Sequence, residues 1–277
     1  MDASFHFFNP KFGFTYKINE RNNLYTSFAV ANREPNRNDF ESGIDTPETL
    51  HDFELGWRSK SENIKLNTNI YYMDYKNQLV LTGAIDDVGA AIRTTSGSSY
   101  RLGLEIDADI RLSDVFSIRP NAAFSSNKNK DYFITRDGED NPEALGDTDL
   151  SFSPDVVIGN VFTYAPGENL QISLLSKYVG KQFMSNFSSA ISTNDVLESF
   201  FTSDINIVYA LKSKTIFKSV VFSALVNNVF NKEYVDRGYY YTYEDDWSTS
   251  GEITTLDGAG YYPQATRNFL VGVTLTF

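Results

Sequence analysis

Two imidazoles, one acidic stretch and one aromatic run are the side chains of this 277-residue chain whose types and spacing could do chemistry. His6 and His51 are the only histidines, and neither stands at a spacing used for metal ligation or a catalytic triad. His6, near the start of a strand, reads as structural. His51, beside a strand, is open to ligand contact or to plain solvation, the commoner state of a lone polar residue. Residues 137–141, DGEDN, with Asp147 and Asp149 behind them, could offer oxygen ligands to a hard cation such as calcium. The EF-hand spacing is absent, and a solvated surface loop is the favoured reading. The run GYYYTYEDDW, residues 238–247, gathers Tyr239, Tyr240, Tyr241, Tyr243 and Trp247 in what reads as a loop. Such flat rings with a hydroxyl or indole donor suit a ligand grip, and they equally suit a membrane-interface belt. With no cysteine there is no disulfide, thiolate metal site or cysteine nucleophile. No catalytic constellation remains, so neither an enzyme activity nor a bound metal or cofactor is expected.

The elements that carry these residues are strands. Residues 100–112, YRLGLEIDADIRL, alternate strictly: Leu102, Leu104, Ile106, Ala108, Ile110 and Leu112 on one face, Arg101, Gly103, Glu105, Asp107, Asp109 and Arg111 on the other. A period of 2 over this length exceeds the ~5–6 residues of an ordinary strand and covers the ~9–11 needed to cross a bilayer at a tilt. The same dyad recurs at 12–18, at 201–211 and at the C-terminus, where Phe269, Val271, Val273, Leu275 and Phe277 share a face. The pattern predicts eleven strands: 10–18, 23–31, 50–60, 63–81, 99–112, 116–129, 149–164, 169–184, 197–211, 218–230 and 264–277. Short turns (19–22, 60–62, 113–115, 166–168 and 212–217) then alternate with long polar loops (32–49, 82–98, 130–148, 185–196 and 231–263). Sorting of loops by length is a feature of outer-membrane barrels, which have tight periplasmic turns and extended extracellular loops. A soluble β-sandwich or barrel also alternates wet and buried faces, but its strands are shorter and its loops unsorted.

Composition agrees. Aromatic residues make up 15% of the chain and hydrophobic residues 41%, with the negative mean hydropathy that alternating strands produce. No run of 18 apolar residues offers a transmembrane helix. A formal charge of −12 and a pI near 4.6 argue against nucleic acid as a partner, since phosphate binding needs clustered Lys and Arg.

Several segments resemble a known family. NPKFGFTYKI (9–18), NNLYTSFAVANREPNRNDF (22–40) and PETLHDFELGW (47–57) are similar to the mid-barrel region of TonB-dependent outer-membrane receptors. The matching elements are Arg33, Glu34 and Pro35, then Pro47 and Glu48, then Glu54, Leu55 and Gly56. VNNVFNKEY (226–234) and the closing RNFLVGVTLTF (267–277) also resemble that family, a terminal Phe on an alternating strand being similar to the signal read by barrel-assembly machinery. The resemblance implies an all-β, antiparallel transmembrane barrel. Plugged transporters of this class have 22 strands, and an odd set of eleven cannot close an antiparallel barrel or leave its edges bare in lipid. Residues 1–277 are therefore expected to be the C-terminal part, about half, of one receptor barrel domain. The signal peptide, energy-coupling box, plug domain and first half of the barrel would lie outside it.

The family imports scarce, large solutes with energy delivered by TonB, so the resemblance implies active transport across the outer membrane of a Gram-negative bacterium. The implied partners are the lipid bilayer, the TonB complex acting through the plug, and a small-molecule ligand. A ferric siderophore is the first ligand class, with Arg33, Arg37, Tyr239, Tyr240, Tyr241, Tyr243 and Trp247 as candidate contacts to an anionic chelate. Oligosaccharide or cobalamin import and a non-transport adhesin barrel are the alternatives. Arg58, Arg101, Glu105, Asp107, Asp109 and Arg111 are expected to face the lumen and pair with one another or with the plug. If the barrel reading holds, full-length protein extracted in detergent should migrate differently on gels before and after boiling. Absence of a shift, with solubility in plain buffer, would contradict it.

Overall fold

The computed structural model describes residues 3–41, 43–85, 91–134, 143–212, 218–245, 247–249, 251 and 253–277. The DGEDN stretch lies outside the described residues. Along the chain run β1 (Lys11–Lys17), β2 (Asn22–Arg33), a short helix α1 (Arg37–Glu41), β3 (Glu48–Lys60), β4 (Ile64–Lys76), β5 (Leu79–Ile85) and β6 (Ala91–Thr95). There follow β7 (Ser98–Arg111), β8 (Phe116–Ile134), β9 (Glu143–Asp149), β10 (Val156–Tyr164), β11 (Leu170–Val179), β12 (Gln182–Phe183) and β13 (Val196–Leu197). The last are β14 (Phe200–Lys212), β15 (Ser219–Asn227), β16 (Val235–Asp245), β17 (Thr254–Pro263) and β18 (Asn268–Thr276).

Eleven of these strands form one continuous antiparallel path, β1-β2-β3-β4-β7-β8-β10-β11-β14-β15-β18, to which β9 adds by pairing with β8. Register keeps the two faces apart across the path. Phe14, Thr26, Leu55, Ile70, Leu104, Phe124 and Val156 stand opposite one another in sequence across seven strands. Ile118, Phe162, Leu174, Ile205, Val226 and Phe269 continue the same face. The other face carries Arg58, Asn67, Asp107, Asn121, Gly159, Lys177 and Thr202 in one row. The apolar face is left uncovered, with Leu55 54% exposed and Val271 86% exposed. An uncovered apolar face of this extent calls for a nonpolar surrounding.

The Glu-Leu-Gly element has a physical reason. A Cβ on Gly56 would sit 2.1 Å from Tyr25 Cζ, so only glycine lets the Tyr25 ring cross its neighbour strand. The Arg58 guanidinium lies 4.2 Å from the centre of that ring, and the Tyr25 hydroxyl donates to Asn69 Oδ1 at 3.1 Å. Glu54 accepts from Ser27 Oγ at 3.0 Å.

Three predicted strands end early. The segment 63–81 divides at Asn77, whose φ of 54° is tolerated by Asn and turns the chain off the main sheet into β5. The segment 149–164 divides around Phe152 (φ 52°) and Pro154, so pairing with β8 resumes only at Val156. The segment 169–184 leaves the sheet after Val179, the last residue paired with β10 and β14. A second correction concerns the long connections. The segments 82–98, 130–148 and 231–263, expected as polar loops, carry β5–β6, β8–β9 and β16–β17 pairings.

Leu104 sits mid-strand on the apolar face. Leu104→Arg in the full-length protein is expected to destabilise insertion by ~2–4 kcal/mol, read as the shift of a urea folding midpoint in lipid vesicles. Ser125→Arg on the polar face should cost far less.

Candidate functional site

Because the path alternates direction, the five long connections all lie at one end of the sheet and the short turns at the other. The densest packing among the described residues lies at the long-connection end. Val80, Tyr132, Leu150 and Phe187 form a buried cluster, with Ile134, Leu145, Ile191 and Tyr240 against it. These residues come from four of the five connections, so the connections share one core. The fifth joins by charge: buried Asp39 of α1 lies 3.7 Å from Arg93 of β6. Asn36 and Asp39 cap the start of α1 reciprocally, each side chain accepting from the other's backbone N–H at 2.9–3.1 Å.

The segment 185–196, expected as a long polar loop, forms with its flanks Met184 and Leu197 a buried polar knot. Asn186 is fully buried and donates to the Leu81 carbonyl at 2.9 Å, while its Oδ1 accepts from Ser151 N at 3.0 Å and Asn129 Nδ2 at 3.4 Å. Asp195, 1% exposed, accepts from Ser185 Oγ, Ser189 Oγ and Ser189 N. These satisfied bonds let a Ser- and Asn-rich segment be buried without an unmet polar cost. Buried Met184 and Phe187 and half-buried Ile191, interspersed among the serines, are the signal by which the sequence could have shown it.

The aromatic run is a strand, not a loop, and pairing sorts it by parity. Tyr239, Tyr241 and Tyr243 share one face with Gly260, Gly258 and Leu256 of β17. A Cβ at Gly258 or Gly260 would lie 2.5 Å or 2.3 Å from the Tyr241 or Tyr239 ring, so the glycines are the floor on which the rings lie. The rings stack at 6.3 and 6.4 Å, and Trp247 extends the ladder 6.5 Å beyond Tyr243. Tyr239 is 51% and Trp247 71% exposed. Tyr240 faces the opposite way, edge-on to Phe187 at 6.4 Å, and burial pushes its phenol up to about 12, against a smaller opposing pull from the Ser192 hydroxyl. It belongs to the shared core and not to the ladder.

On that inward side Asp257 latches the β16–β17 hairpin to the knot, accepting from Ser192 Oγ at 2.7 Å and Asn194 Nδ2 at 3.0 Å. Tyr261 adds a 2.6 Å bond to the Asn194 carbonyl. At the end of β16, Asp245 accepts hydrogen bonds from Ser248 and from the Trp247 backbone, which hold its carboxyl below the usual range.

The other candidates fall elsewhere. Arg33 ends β2 in a 3.2 Å ion pair with Glu48, whose carboxylate also accepts from Leu79 N at 2.9 Å, so this arginine anchors the departure of β5. Arg37 is exposed on α1 and pairs with Glu41 at 2.7 Å. His51 lies on the apolar-face parity, 3.8 Å from Asp74 and stacked on Phe28. Asp147 and Asp149 pair with Lys130 and Lys128. On the polar face Arg101 donates to Ser153 Oγ at 2.9 Å, Asp109 lies between Lys65 (3.6 Å) and Arg119 (3.8 Å), and Arg111 bonds Asp114 at the turn. Glu105 and Asp107 share that face in register with Asn69 and Asn67.

A wall with one lipid-type face, one polar face and a packed cap at a single end is the architecture of a transmembrane β-barrel receptor. The sequence profile described as TonB dependent receptor-like, beta-barrel matches residues 2–229, and the chain belongs to that family. Solved structures with the same fold include the ferric-catecholate import receptor Fiu of E. coli K12 in its closed form (18% identity, TM-score 0.66, 96% of this chain and 34% of that one). Others are the siderophore receptor PiuA of Acinetobacter baumannii (17%, 0.69, 95% and 35%) and the copper transporter OprC (17%, 0.67, 96% and 38%). The chain thus spans about a third of the length of these structures. No curated protein sequence matches it.

Asn186 joins three segments, so Asn186→Ala should cost about 1–3 kcal/mol of cap stability. Hydrogen exchange should quicken at the Ser151 amide while the amides of β7 and β8 keep their protection.

Proposed function

We propose that this chain is wall and cap of an outer-membrane receptor that imports a large, scarce solute with TonB-supplied energy, and that the solute is a ferric siderophore. The observation that carries the reading is the cap: connections locked into one core hold an aromatic ladder stacked and exposed at the long-connection end. Rigid stacked rings offer contact area with little ordering cost on binding, which suits a planar catecholate-type chelate. Family membership supports transport, and the sheet's two unpaired edges support a wall completed by further strands. The TonB complex would act through a plug domain, and the polar-face charges Arg58, Arg101, Glu105, Asp107, Asp109 and Arg111 would line the lumen. In this reading Tyr239, Tyr241, Tyr243 and Trp247 touch ligand, and Arg37 supplies positive charge at the rim. Tyr240 and Arg33 support the cap from behind.

Titration of the full-length receptor with ferric catecholates, ferric citrate, cobalamin and oligosaccharides, followed by Trp fluorescence, tests this. Saturable quenching is expected from a ferric chelate. Tyr241→Ala and Trp247→Ala should each weaken it about 3- to 10-fold, as loss of one aromatic contact implies. Binding of only a glycan or cobalamin, or equal affinity in both variants, would contradict the assignment.

A further inference from the structure

Cations collect where the polar face meets the short turns. A recess of about 720 Å³ there is lined by Arg58, Lys60, Lys65 and Arg119, with Asp107 and Asp109 as its carboxylates. Register sets its rows: Arg58, Asn67, Asp107 and Asn121 stand in one, and Lys60, Lys65 and Asp109 in the next. Lys60 and Lys65 are therefore directly opposite on neighbouring strands, an arrangement of like charges that weakens a sheet. The surroundings do little to relieve it. Asp109 is shared between Lys65 at 3.6 Å and Arg119 at 3.8 Å, and all three side chains are exposed. Arg58 lies over the Tyr25 ring. Lys60 has no ion pair among the described residues, although Glu62 stands in the adjoining turn. At the long-connection end, by contrast, Arg33, Lys128 and Lys130 each have their own carboxylate, in Glu48, Asp149 and Asp147. In a chain of formal charge −12, a recess with four cations against two carboxylates reverses the sign of the local field.

We propose that this recess is a binding subsite for a small multivalent oxyanion, of the kind that a carboxylate-rich ferric chelate or inorganic phosphate presents. The proposal rests on the reading of the polar face as a lumen. To that reading it adds a second stop for an anionic solute, at the end of the wall opposite the aromatic ladder. An oxyanion seated between Lys60 and Lys65 replaces one repulsion by two attractions. Each ammonium brings three donors, and the Arg119 guanidinium brings a planar fork that matches paired oxygens. The volume is that of a small-molecule site. Ion pairs as long and exposed as those of Asp109 contribute little, so Lys65 and Arg119 can turn to a ligand at small cost. The same exposure keeps each ligand contact weak, which suits a site that a transported solute must leave again.

Alkylation protection in the full-length receptor tests this. Asn67→Cys places a reporter in the recess, and Thr202→Cys is a control further along the same face. The chain has no native cysteine, and the unsubstituted protein accounts for any cysteine elsewhere. Rates of reaction with N-ethylmaleimide are compared in chloride, ferric citrate and phosphate at one ionic strength. Ferric citrate is expected to slow Asn67→Cys about 3- to 10-fold, as concentration of an anion in a cation-rich cleft implies, and to leave Thr202→Cys unchanged. Lys60→Gln with Lys65→Gln should abolish the protection, and Lys60→Arg with Lys65→Arg should keep it. The Gln pair should leave the urea folding midpoint in lipid vesicles unchanged or higher, because it removes a repulsion. Protection by ferric citrate alone identifies a chelate as the occupant, protection by phosphate as well identifies any multivalent oxyanion, and both support the subsite. Equal protection of Thr202→Cys, protection that survives the Gln pair, or a lowered midpoint would each overturn it. So would an Asn67→Cys that is unreactive in chloride because an acidic segment of the same protein already fills the recess. Saturable Trp quenching by a ferric chelate without protection would sink the subsite and leave the proposed function standing. Protection without quenching by any ferric chelate would do the reverse.

Discussion

Backbone hydrogen bonding in a medium without water is the constraint on which this structure depends. Every N–H and C=O that faces hydrocarbon must be met by another strand, so the chain can cross only as an unbroken antiparallel ladder. Eleven strands in register from Lys11 to Thr276 meet that demand, and the period-2 side chains follow from it. One face must be apolar because it has no water, and the other is free to carry Arg58, Asp107 and Asp109. Irregular backbone accordingly collects toward the long-connection end, where Asn77, Asp131, Phe152 and Asn228 take positive φ.

The cap is built on a different principle. The main sheet has no second layer among the described residues, so the buried hydrophobic cluster forms where the long connections meet. Its core is small and is supplemented by buried, fully bonded polar groups at Asn186 and Asp195. Such networks stabilise only one arrangement of the segments they join. The hairpin bearing the aromatic ladder therefore inherits its position from the knot through Asp257, Tyr261 and Tyr240.

The strands of the main sheet were legible in the sequence because alternation is their only folding code: all eleven, their order of short and long connections, and the residues that share a face with Leu104 or Phe269 on the same strand follow from it. Gly56 was legible as part of a motif, though its reason, room for the Tyr25 ring, needed the neighbouring strand. The cap was not legible. Residues 184–197 have the Ser and Asn content of a solvated turn, and their burial arises from Leu81, Ser151 and Asp257, which are distant in sequence. GYYYTYEDDW lacked an apolar–polar alternation because both faces carry tyrosine, so a strand read as a loop. The break at Asn77 was hidden for a related reason: apolar residues resume at Leu79 without a turn signal.

The central claim, that the sheet stands in a bilayer with its Leu104 face outward and its Asp107 face inward, has a direct measurement. Single cysteines placed at each position from Leu102 to Leu112 in the full-length protein, in membranes, can be labelled with a charged, membrane-impermeant maleimide and with a lipid-soluble one. A strict alternation is predicted, the lipid-soluble reagent reacting at even positions and the charged reagent at odd ones. Equal labelling of both sets by the charged reagent would contradict the account.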